Sequence, residues 1–187
     1  MDARFDFIKT RLASLMVVQR KAITDPRGFL SRFYCADEFR EAGLDNKIAQ
    51  INHTLTRKKG AVRGLHFQNP PHSETKLVSC IQGEIFDVVV DIRKESATFL
   101  CWHGEILSAE NCKSLFIPEG FAHGFQTLTD NCELIYLHSV SYHRESEGAL
   151  HVNDPRLSIA WPLAISEISE RDRSHPVIDV HFEGLVL

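Results

Sequence analysis

The middle of the chain consists of short runs rich in apolar residues, each followed by residues that favour turns. In residues 84–92, the apolar residues Phe86, Val88, Val90 and Ile92 stand at every second position. This period of two is typical of a β-strand, in which successive side chains point to opposite faces. A series of such strands predicts an all-β sandwich or barrel. The other runs are 76–81, 114–117 and 133–137, with turn signals at Gln82-Gly83 and Pro118-Glu119-Gly120.

Only two segments have the pattern of helices or helical turns, residues 37–42 and residues 164–173. The chain has 187 residues, of which 43% are hydrophobic and 25% are charged, as in ordinary globular proteins. No repeat, linker or low-complexity tract divides it. We therefore expect a single domain over residues 1–187, all-β with short flanking helices.

The charge of the chain limits the partners that it can attract. The 21 Lys and Arg residues stand against 25 Asp and Glu residues, a net charge of −4. No general attraction to nucleic acid or to anionic lipid is therefore expected. No apolar run approaches the roughly 20 residues that span a bilayer, which predicts no membrane association. The five cysteines form no CxxC pair, which favours reduced thiols and a cytoplasmic location.

Residues 118–125, PEGFAHGF, place Pro118, Gly120 and His123 in a PxGxxH pattern. The pattern resembles the second motif of cupins, which are jelly-roll proteins. Metal-dependent cupins also supply an HxH pair and a carboxylate from an earlier strand, because a divalent ion needs three or four converging ligands. The nearest candidate here, Leu65-His66-Phe67, holds one histidine. We therefore expect no metal site.

A second segment, residues 60–76 with the sequence GAVRGLHFQNPPHSETK, gathers Arg63, His66 and Lys76 near a Pro-Pro turn. Each of these residues alone has an ordinary structural explanation, as a solvated cation or as a core histidine. If residues 62–67 form a regular strand, Arg63 and His66 point to opposite faces unless a β-bulge intervenes. Strand periodicity therefore leaves open whether the three side chains form one site.

Eight motifs together resemble those of the dTDP-4-dehydrorhamnose 3,5-epimerases in order and spacing, over roughly residues 20–176. The resemblance implies a cupin-like jelly roll, or double-stranded β-helix, that forms a homodimer and needs no metal or organic cofactor. It implies a nucleotide-diphosphate-linked 4-keto-6-deoxyhexose as substrate, inverted at C3 and C5, with dTDP as the default nucleotide. The motifs are DPRGF (25–29), QINH (50–53), RGLHFQNPPHSETK (63–76), GEIFDVVVDIR (83–93), IPEGFAHGFQTL (117–128), ELIY (133–136), NDPRLSIAWP (153–162) and SERD (169–172).

Inverting a carbon next to a ketone requires a base at the C–H bond, a stabiliser for the enolate oxygen and an acid on the opposite face. The resemblance implies that His66 is the base and that Asp172 hydrogen-bonds its imidazole. It also implies that Tyr136 returns the proton on the other face and that Lys76 stabilises the enolate. Without the resemblance, Asp172 is equally consistent with a surface carboxylate, and Tyr136 with a core aromatic residue.

The resemblance also implies a binding site for the nucleotide and the sugar. A diphosphate needs local cations because the chain is acidic overall, and a guanidinium group binds phosphate oxygens in pairs. Two of the aromatic residues concerned, Phe29 and Tyr142, are equally consistent with packing. The implied binding residues are Arg27 and Arg63 for the diphosphate, Phe29, Gln50, Asn52 and Tyr142 in or near the nucleotide and sugar site, and His123 for the sugar.

The chain departs from the family pattern in two places. Where many members read RGFFxE, this chain has Arg32 at the position of the carboxylate. A guanidinium group only donates hydrogen bonds, so it cannot accept the N3 proton of thymine. Where many members read YKTTDYY, residues 136–142 read YLHSVSY, which keeps both end tyrosines and loses the lysine and the aspartate. A CDP- or GDP-linked sugar therefore stays open as the substrate.

Three further functions stay open at this point. The same scaffold can act as a 3-epimerase only, since one base and one acid can serve either carbon. A non-catalytic cupin that binds a sugar nucleotide needs no base and acid on opposite faces. The presence of four residues of the catalytic set counts against this function: His66, Lys76, Tyr136 and Asp172. A metal-dependent cupin isomerase or dioxygenase lacks the expected ligands.

Overall fold

Most of the regular secondary structure is β-strand in the computed structural model, which describes residues 3–44 and 47–187. None of the helices in this part of the chain has the length and apolar character of a membrane span. The strands are β1 (Phe5–Lys9), β2 (Met16–Arg20), β3 (Ile23–Asp25), β4 (Gly28–Leu30), β5 (Gln50–Thr56), β6 (Ala61–Gln68), β7 (Lys76–Gln82), β8 (Glu84–Asp91), β9 (Trp102–Ser108), β10 (Lys113–Ile117), β11 (Phe121–Thr127), β12 (Cys132–His138), β13 (Glu147–Ala149) and β14 (Glu167–Ile168); the helices are α1 (Ala36–Glu41) and α2 (Glu170–Arg173), with a 3₁₀ turn at Arg144–Ser146.

Two sheets of six strands each enclose the core. The first has the order β1-β2-β10-β7-β12-β5, and the second has the order β13-β6-β11-β8-β9 with β14 beside β6. The hairpin β3–β4 stands apart from both sheets. Strands that are distant in sequence, such as β2 and β10, lie side by side, which is the connectivity of a jelly roll. The all-β, cupin-like fold predicted from the sequence is confirmed, and each predicted apolar run contributes to a strand.

Strand β8 is buried on both faces. Ile85 and Val89 belong to the core between the two sheets, whereas Val88 packs in a second core that includes residues of the segment 150–178. Because side chains alternate along a strand, Asp87 shares the inner face with Ile85 and Val89. The strand therefore sends a carboxylate into the space between the sheets.

The two helix predictions have different outcomes. The helix predicted over residues 37–42 is present as α1, shifted by one residue. The prediction over residues 164–173 is correct only for its last four residues. Glu167 and Ile168 pair in parallel with β6 instead, so a sheet takes the backbone hydrogen bonds that a helix would have formed. Helix α2 begins after Ser169, whose hydroxyl accepts the backbone N–H of Asp172 at 3.0 Å.

Candidate active site

A β-bulge in β6 decides which of its side chains face the interior. Between Arg63 and His66, three residue steps on β6 lie opposite two on β11, so the alternation of faces shifts by one residue. Gly64 lies inside the bulge with a φ of +127°, and a Cβ there would stand 2.5 Å from Gly124 Cα. Only glycine permits this close approach of the two strands. Arg63 and His66 consequently line the same cavity.

This cavity has a volume of about 800 Å³ and is lined by both sheets and by α2. The volume lies within the range of sites for small molecules and cofactors. Strands β5, β7 and β12 form one wall, and β6, β11 and α2 form the other. The cavity brings together seven residues with an implied role: His66, Asp172, Tyr136, Lys76, Asn52, Arg63 and His123.

Four residues with an implied binding role are not part of this lining. Arg27 and Phe29 lie on the hairpin β3–β4, where Phe29 is 67% exposed. Gln50 contacts a residue of the cavity lining, and Tyr142 is joined to the cavity through Gln50. The backbone N–H of Tyr142 donates to Gln50 Oε1 at 3.1 Å, and Gln50 Nε2 donates to the cavity residue Asn52. The hairpin therefore contributes nothing to the cavity of its own chain.

His66 and Asp172 form a close pair although 106 residues separate them in sequence. His66 Nε2 lies 2.7 Å from Asp172 Oδ1, and the backbone N–H of Gly64 donates to Oδ2 at 3.4 Å. Burial opposes ionisation of Asp172, but the hydrogen bond and the charge of His66 outweigh it and lower the pKa of the carboxyl. The carboxylate holds one imidazole nitrogen and leaves the other for a ligand.

Tyr136 lines the same cavity, with its ring 6.1 Å from that of His123 at an angle of 71°. Burial raises the pKa of Tyr136, and the charge of Asp87 raises it further, whereas the Thr54 hydroxyl and the charge of Arg63 oppose the rise. The phenol is therefore protonated near neutral pH, as a general acid must be. Arg63 is the cation that can stabilise the phenolate once the proton has left.

His123 is paired with a carboxylate that the sequence analysis did not select. His123 Nε2 lies 2.7 Å from Asp87 Oδ1, and both side chains are buried. Burial raises the pKa of Asp87, and the neighbouring His123 opposes the rise. The second oxygen of Asp87 has no hydrogen-bond partner among residues 3–44 and 47–187. The available signal was a carboxylate on the same strand face as the apolar residues Ile85 and Val89.

Lys76 is also held by residues that the sequence analysis passed over. Its Nζ lies 3.2 Å from Glu74 Oε1, and His138 Nδ1 lies 2.7 Å from Glu74 Oε2. All three side chains are at most 11% exposed. Burial raises the pKa of Glu74, but His138 and Lys76 together outweigh it and lower the pKa below its usual value. Glu74 is therefore a buried carboxylate with two partners.

Two further residues lie beside His66. Arg171 lines the cavity and forms an ion pair with Glu147. His175 has its ring 6.3 Å from that of His66, and the candidate ligand atoms of His66, Asp172 and His175 all lie within 4.8 Å of one another. An HxH spacing does not contain this group, because His66 and His175 lie far apart in the sequence. His66 and Asp172 already share a hydrogen bond, which a bound cation would have to displace.

The family model for dTDP-4-dehydrorhamnose 3,5-epimerase matches residues 9–179. The chain belongs to the dTDP-4-dehydrorhamnose 3,5-epimerase family. The dTDP-4-dehydrorhamnose 3,5-epimerase of Salmonella typhimurium is 44% identical over 174 residues, which cover 92% of this chain and 94% of the relative. The family membership predicted from the sequence motifs is confirmed, and the chain is a sugar epimerase by class.

Two other relatives have names that specify a bound sugar nucleotide or a single epimerised carbon. A crystal structure of dTDP-6-deoxy-D-glucose-3,5-epimerase from Legionella pneumophila in complex with dTDP-4-keto-L-rhamnose has a TM-score of 0.88 and 39% identity, and the match covers 92% of each chain. The dTDP-4-dehydrorhamnose 3-epimerase of Streptomyces niveus is 39% identical over 150 residues, which cover 80% of this chain and 72% of the relative.

Proposed function

We propose that this enzyme inverts C3 and C5 of a nucleotide-linked 4-keto-6-deoxyhexose, by default dTDP-4-dehydro-6-deoxyglucose, without a metal or organic cofactor. The observation that carries the proposal is the set of groups in one cavity: the pair His66–Asp172, the protonated phenol of Tyr136 and the ammonium of Lys76. Relatives are named for this reaction, and one was solved with dTDP-4-keto-L-rhamnose.

The reaction needs two proton transfers at each carbon. His66 takes the proton next to the ketone, and the electron pair of the C–H bond moves to the ketone oxygen as an enolate. The carboxylate of Asp172 stabilises the imidazolium, and the ammonium of Lys76 donates to the enolate oxygen. Tyr136 gives its proton to the opposite face of the carbon, which inverts the centre. Exchange with solvent then reprotonates the phenolate and deprotonates the imidazolium.

Deuterated solvent tests these two roles separately. In D₂O, the wild type is expected to place deuterium at C3 and C5, as NMR of the product can show. His66→Asn should abolish this exchange, because no other group in the proposal takes the proton. Tyr136→Phe should retain some exchange, with the proton returned on the same side, and lose inversion.

Two results would contradict the assignment. A folded His66→Asn variant that still incorporates deuterium would remove His66 from the role of base. Equal loss of exchange and inversion in Tyr136→Phe would mean that Tyr136 binds substrate or stabilises the enolate instead.

We propose further that the enzyme is a homodimer and that the hairpin β3–β4 of one copy binds the nucleotide end of the substrate in the other. Three apolar side chains of the hairpin are exposed, and Arg27 and Phe29 lie away from the cavity of their own chain. Strand β5 ends the first sheet, and its Ile51 is 63% exposed. In the assembled site, Arg27 and Arg63 would bind the diphosphate, and His123 would contact the sugar. The exposed side chains of the hairpin are Ile23, Phe29 and Leu30.

Mixing two inactive variants tests the shared site. If Arg27 serves the other copy, a dimer of one Arg27→Ala chain and one His66→Asn chain contains one intact site. The mixture should then be more active than the sum of its parts. Activity equal to that sum, or a monomeric mass by light scattering, would contradict the shared site.

A 3-epimerase is the second candidate, favoured by the Streptomyces niveus relative of that name. The same D₂O experiment separates the two functions, since a 3-epimerase places deuterium at C3 alone. The single domain and the cytoplasmic location stay predictions from the sequence.

A further inference from the structure

A row of hydrogen bonds runs along one wall of the cavity and ends at Lys76. It begins where the backbone N–H of Tyr142 donates to Gln50 Oε1 at 3.1 Å. Gln50 Nε2 donates to Asn52 Oδ1 at 3.1 Å, and Asn52 Nδ2 lies 3.3 Å from His138 Nε2. The row thus joins the loop after β12 with β5 and with the end of β12.

The second half of the row carries charge. His138 Nδ1 lies 2.7 Å from Glu74 Oε2, and Lys76 Nζ lies 3.2 Å from Glu74 Oε1. Both donors reach one carboxylate, which is 9% exposed. A buried carboxylate is tolerated when it is paired and hydrogen-bonded in this way.

The direction of every hydrogen bond in the row follows from its first member. A backbone N–H can only donate, so the atom of Gln50 that faces Tyr142 must be the oxygen. The amide nitrogen of Gln50 therefore donates to the oxygen of Asn52, and the amide nitrogen of Asn52 donates to His138. His138 Nε2 is then an acceptor, and the imidazole carries its proton on Nδ1, which donates to Glu74.

We propose that His138 and Glu74 are positioning residues for Lys76 and that His138 works as a neutral imidazole with its proton on Nδ1. The inference rests on the proposed function, because it is there that Lys76 stabilises the enolate. A lysine side chain has four flexible bonds and loses rotamer freedom when it is fixed. Glu74 fixes the ammonium beside the reacting oxygen, and His138 fixes Glu74, so the stabilising charge is in place before the enolate forms.

Variants at His138 test this role by steady-state kinetics. His138→Leu removes the donor to Glu74. We expect kcat to fall by about 10- to 100-fold, which is the loss expected when a hydrogen bond to a charged group is removed. KM should change little, since His138 and Glu74 act through Lys76 on the enolate. His138→Asn can place an amide N–H close to the position of Nδ1, and it should recover most of the lost kcat.

A matched control lies on the same pair of strands. His53 on β5 lies 2.7 Å from Glu133 on β12, and its side chain is 58% exposed and outside the cavity lining. His53→Leu removes a histidine–carboxylate pair of the same kind, and kcat should stay at the wild-type value. Equal losses in His53→Leu and His138→Leu would show a general effect on the sheet and overturn the positioning role.

The tautomer gives a readout that does not depend on activity. Long-range ¹H–¹⁵N spectra of the wild type distinguish a protonated Nδ1 from a protonated Nε2, and loss of the signal in His138→Asn identifies the residue. A proton on Nδ1 alone is expected at neutral pH. A proton on Nε2, or on both nitrogens, would overturn the proposed direction of the row.

Glu74→Gln provides the same test if His138→Leu does not fold. It keeps the size of the side chain and removes the charge that holds Lys76, so kcat should again fall by about 10- to 100-fold. A wild type that leaves the dTDP-linked 4-keto sugar unchanged contradicts the proposed function. An active wild type with unchanged kcat in both His138→Leu and Glu74→Gln overturns the positioning role alone.

Discussion

Replacing Asp172 with asparagine removes the charge beside His66 and keeps the size of the side chain. Asp172 accepts from His66 at 2.7 Å with one oxygen and from the Gly64 backbone at 3.4 Å with the other. An amide has a single oxygen, so the side chain of the variant can accept from only one of these donors. If Gly64 keeps the oxygen, the amide NH₂ faces His66 and forces the imidazole proton onto the nitrogen that the substrate needs free.

The size of the effect follows from the burial of the pair. A hydrogen-bonded charge pair withdrawn from water contributes about 2–4 kcal/mol, equivalent to a change in kcat of about 30- to 1,000-fold. The His66 side chain is 31% exposed, so solvent screens the pair and the lower part of the range applies. We expect Asp172→Asn to lower kcat by about 30- to 200-fold.

The assay is the initial rate of deuterium incorporation at C3 and C5 in D₂O, with circular dichroism to verify folding. Glu170→Gln is the control, because it removes one negative charge from the same short helix at an exposed residue outside the cavity lining. Its rate should equal that of the wild type. A folded Asp172→Asn variant within about twofold of the wild-type rate would refute both the orienting and the stabilising role of the carboxylate.

Three more predictions concern the metal, the nucleotide and stability. Exhaustive chelation of metal ions should leave activity unchanged, since Lys76 stabilises the enolate. A loss of activity that one divalent ion restores would favour a metal-dependent cupin. Arg32, which pairs with Glu38 at 2.8 Å, only donates hydrogen bonds, and this suits the acceptor edge of cytosine or guanine. We therefore expect CDP or GDP to bind to this enzyme better than to typical dTDP-specific members. A strong preference for dTDP that Arg32→Glu does not change would refute this. Asp91→Asn should destabilise the fold by about 2–3 kcal/mol at neutral pH. Burial opposes ionisation of Asp91, but bonds from Arg93, Ser96 and Thr98 lower its pKa, so the stability it provides is present above the unfolded pKa of about 3.9 and is lost as the pH falls through the folded pKa. The difference in free energy of unfolding between wild type and Asp91→Asn, measured by denaturant unfolding, should become smaller towards about pH 3. A difference that stays constant would contradict this prediction.

The strands were predictable because their pattern is local, but the use of each face was not. The alternation around Phe86 identifies a strand whether the apolar face points inward or outward. In the structure the inner face carries Asp87, and the outer face is covered by the segment 150–178. Which segment covers each face of the strand depends on where distant parts of the chain pack. A period of two in the local sequence carries no information on this.

The meeting of Arg63 and His66 shows how a local rule can be overridden. Periodicity places them on opposite faces, and the bulge at Gly64 returns them to one cavity. The glycine is visible in the sequence, but its reason is the close approach of Gly124 on another strand. Similarly, Glu167 and Ile168 lie in a segment predicted as helical, because the local sequence carries no sign of their pairing with the distant residues Ala61 and Val62 of β6.

The family resemblance indicated the four catalytic-type residues that meet in the cavity, and it did not indicate what holds them. Glu74 lies within the family motif of residues 63–76, and His138 lies two residues after the motif of residues 133–136, yet neither has a spacing that marks it as functional. His175 follows the SERD motif by three residues, and the turn that ends α2 brings it to 3.8 Å from Asp172. The contact between His138 and Glu74 joins residues 64 positions apart, so it arises from tertiary packing and has no periodic signal.

The late position of Asp172 in the chain has a consequence for how activity is acquired. Of the strands described, all but the short β13 and β14 end by His138, so during synthesis the sheets can pair while α2 is still unmade. Until α2 docks, His66 is an imidazole without its carboxylate. During synthesis, β-sheet structure is therefore expected to form before the chain can turn over substrate, because the carboxylate of Asp172 is added late.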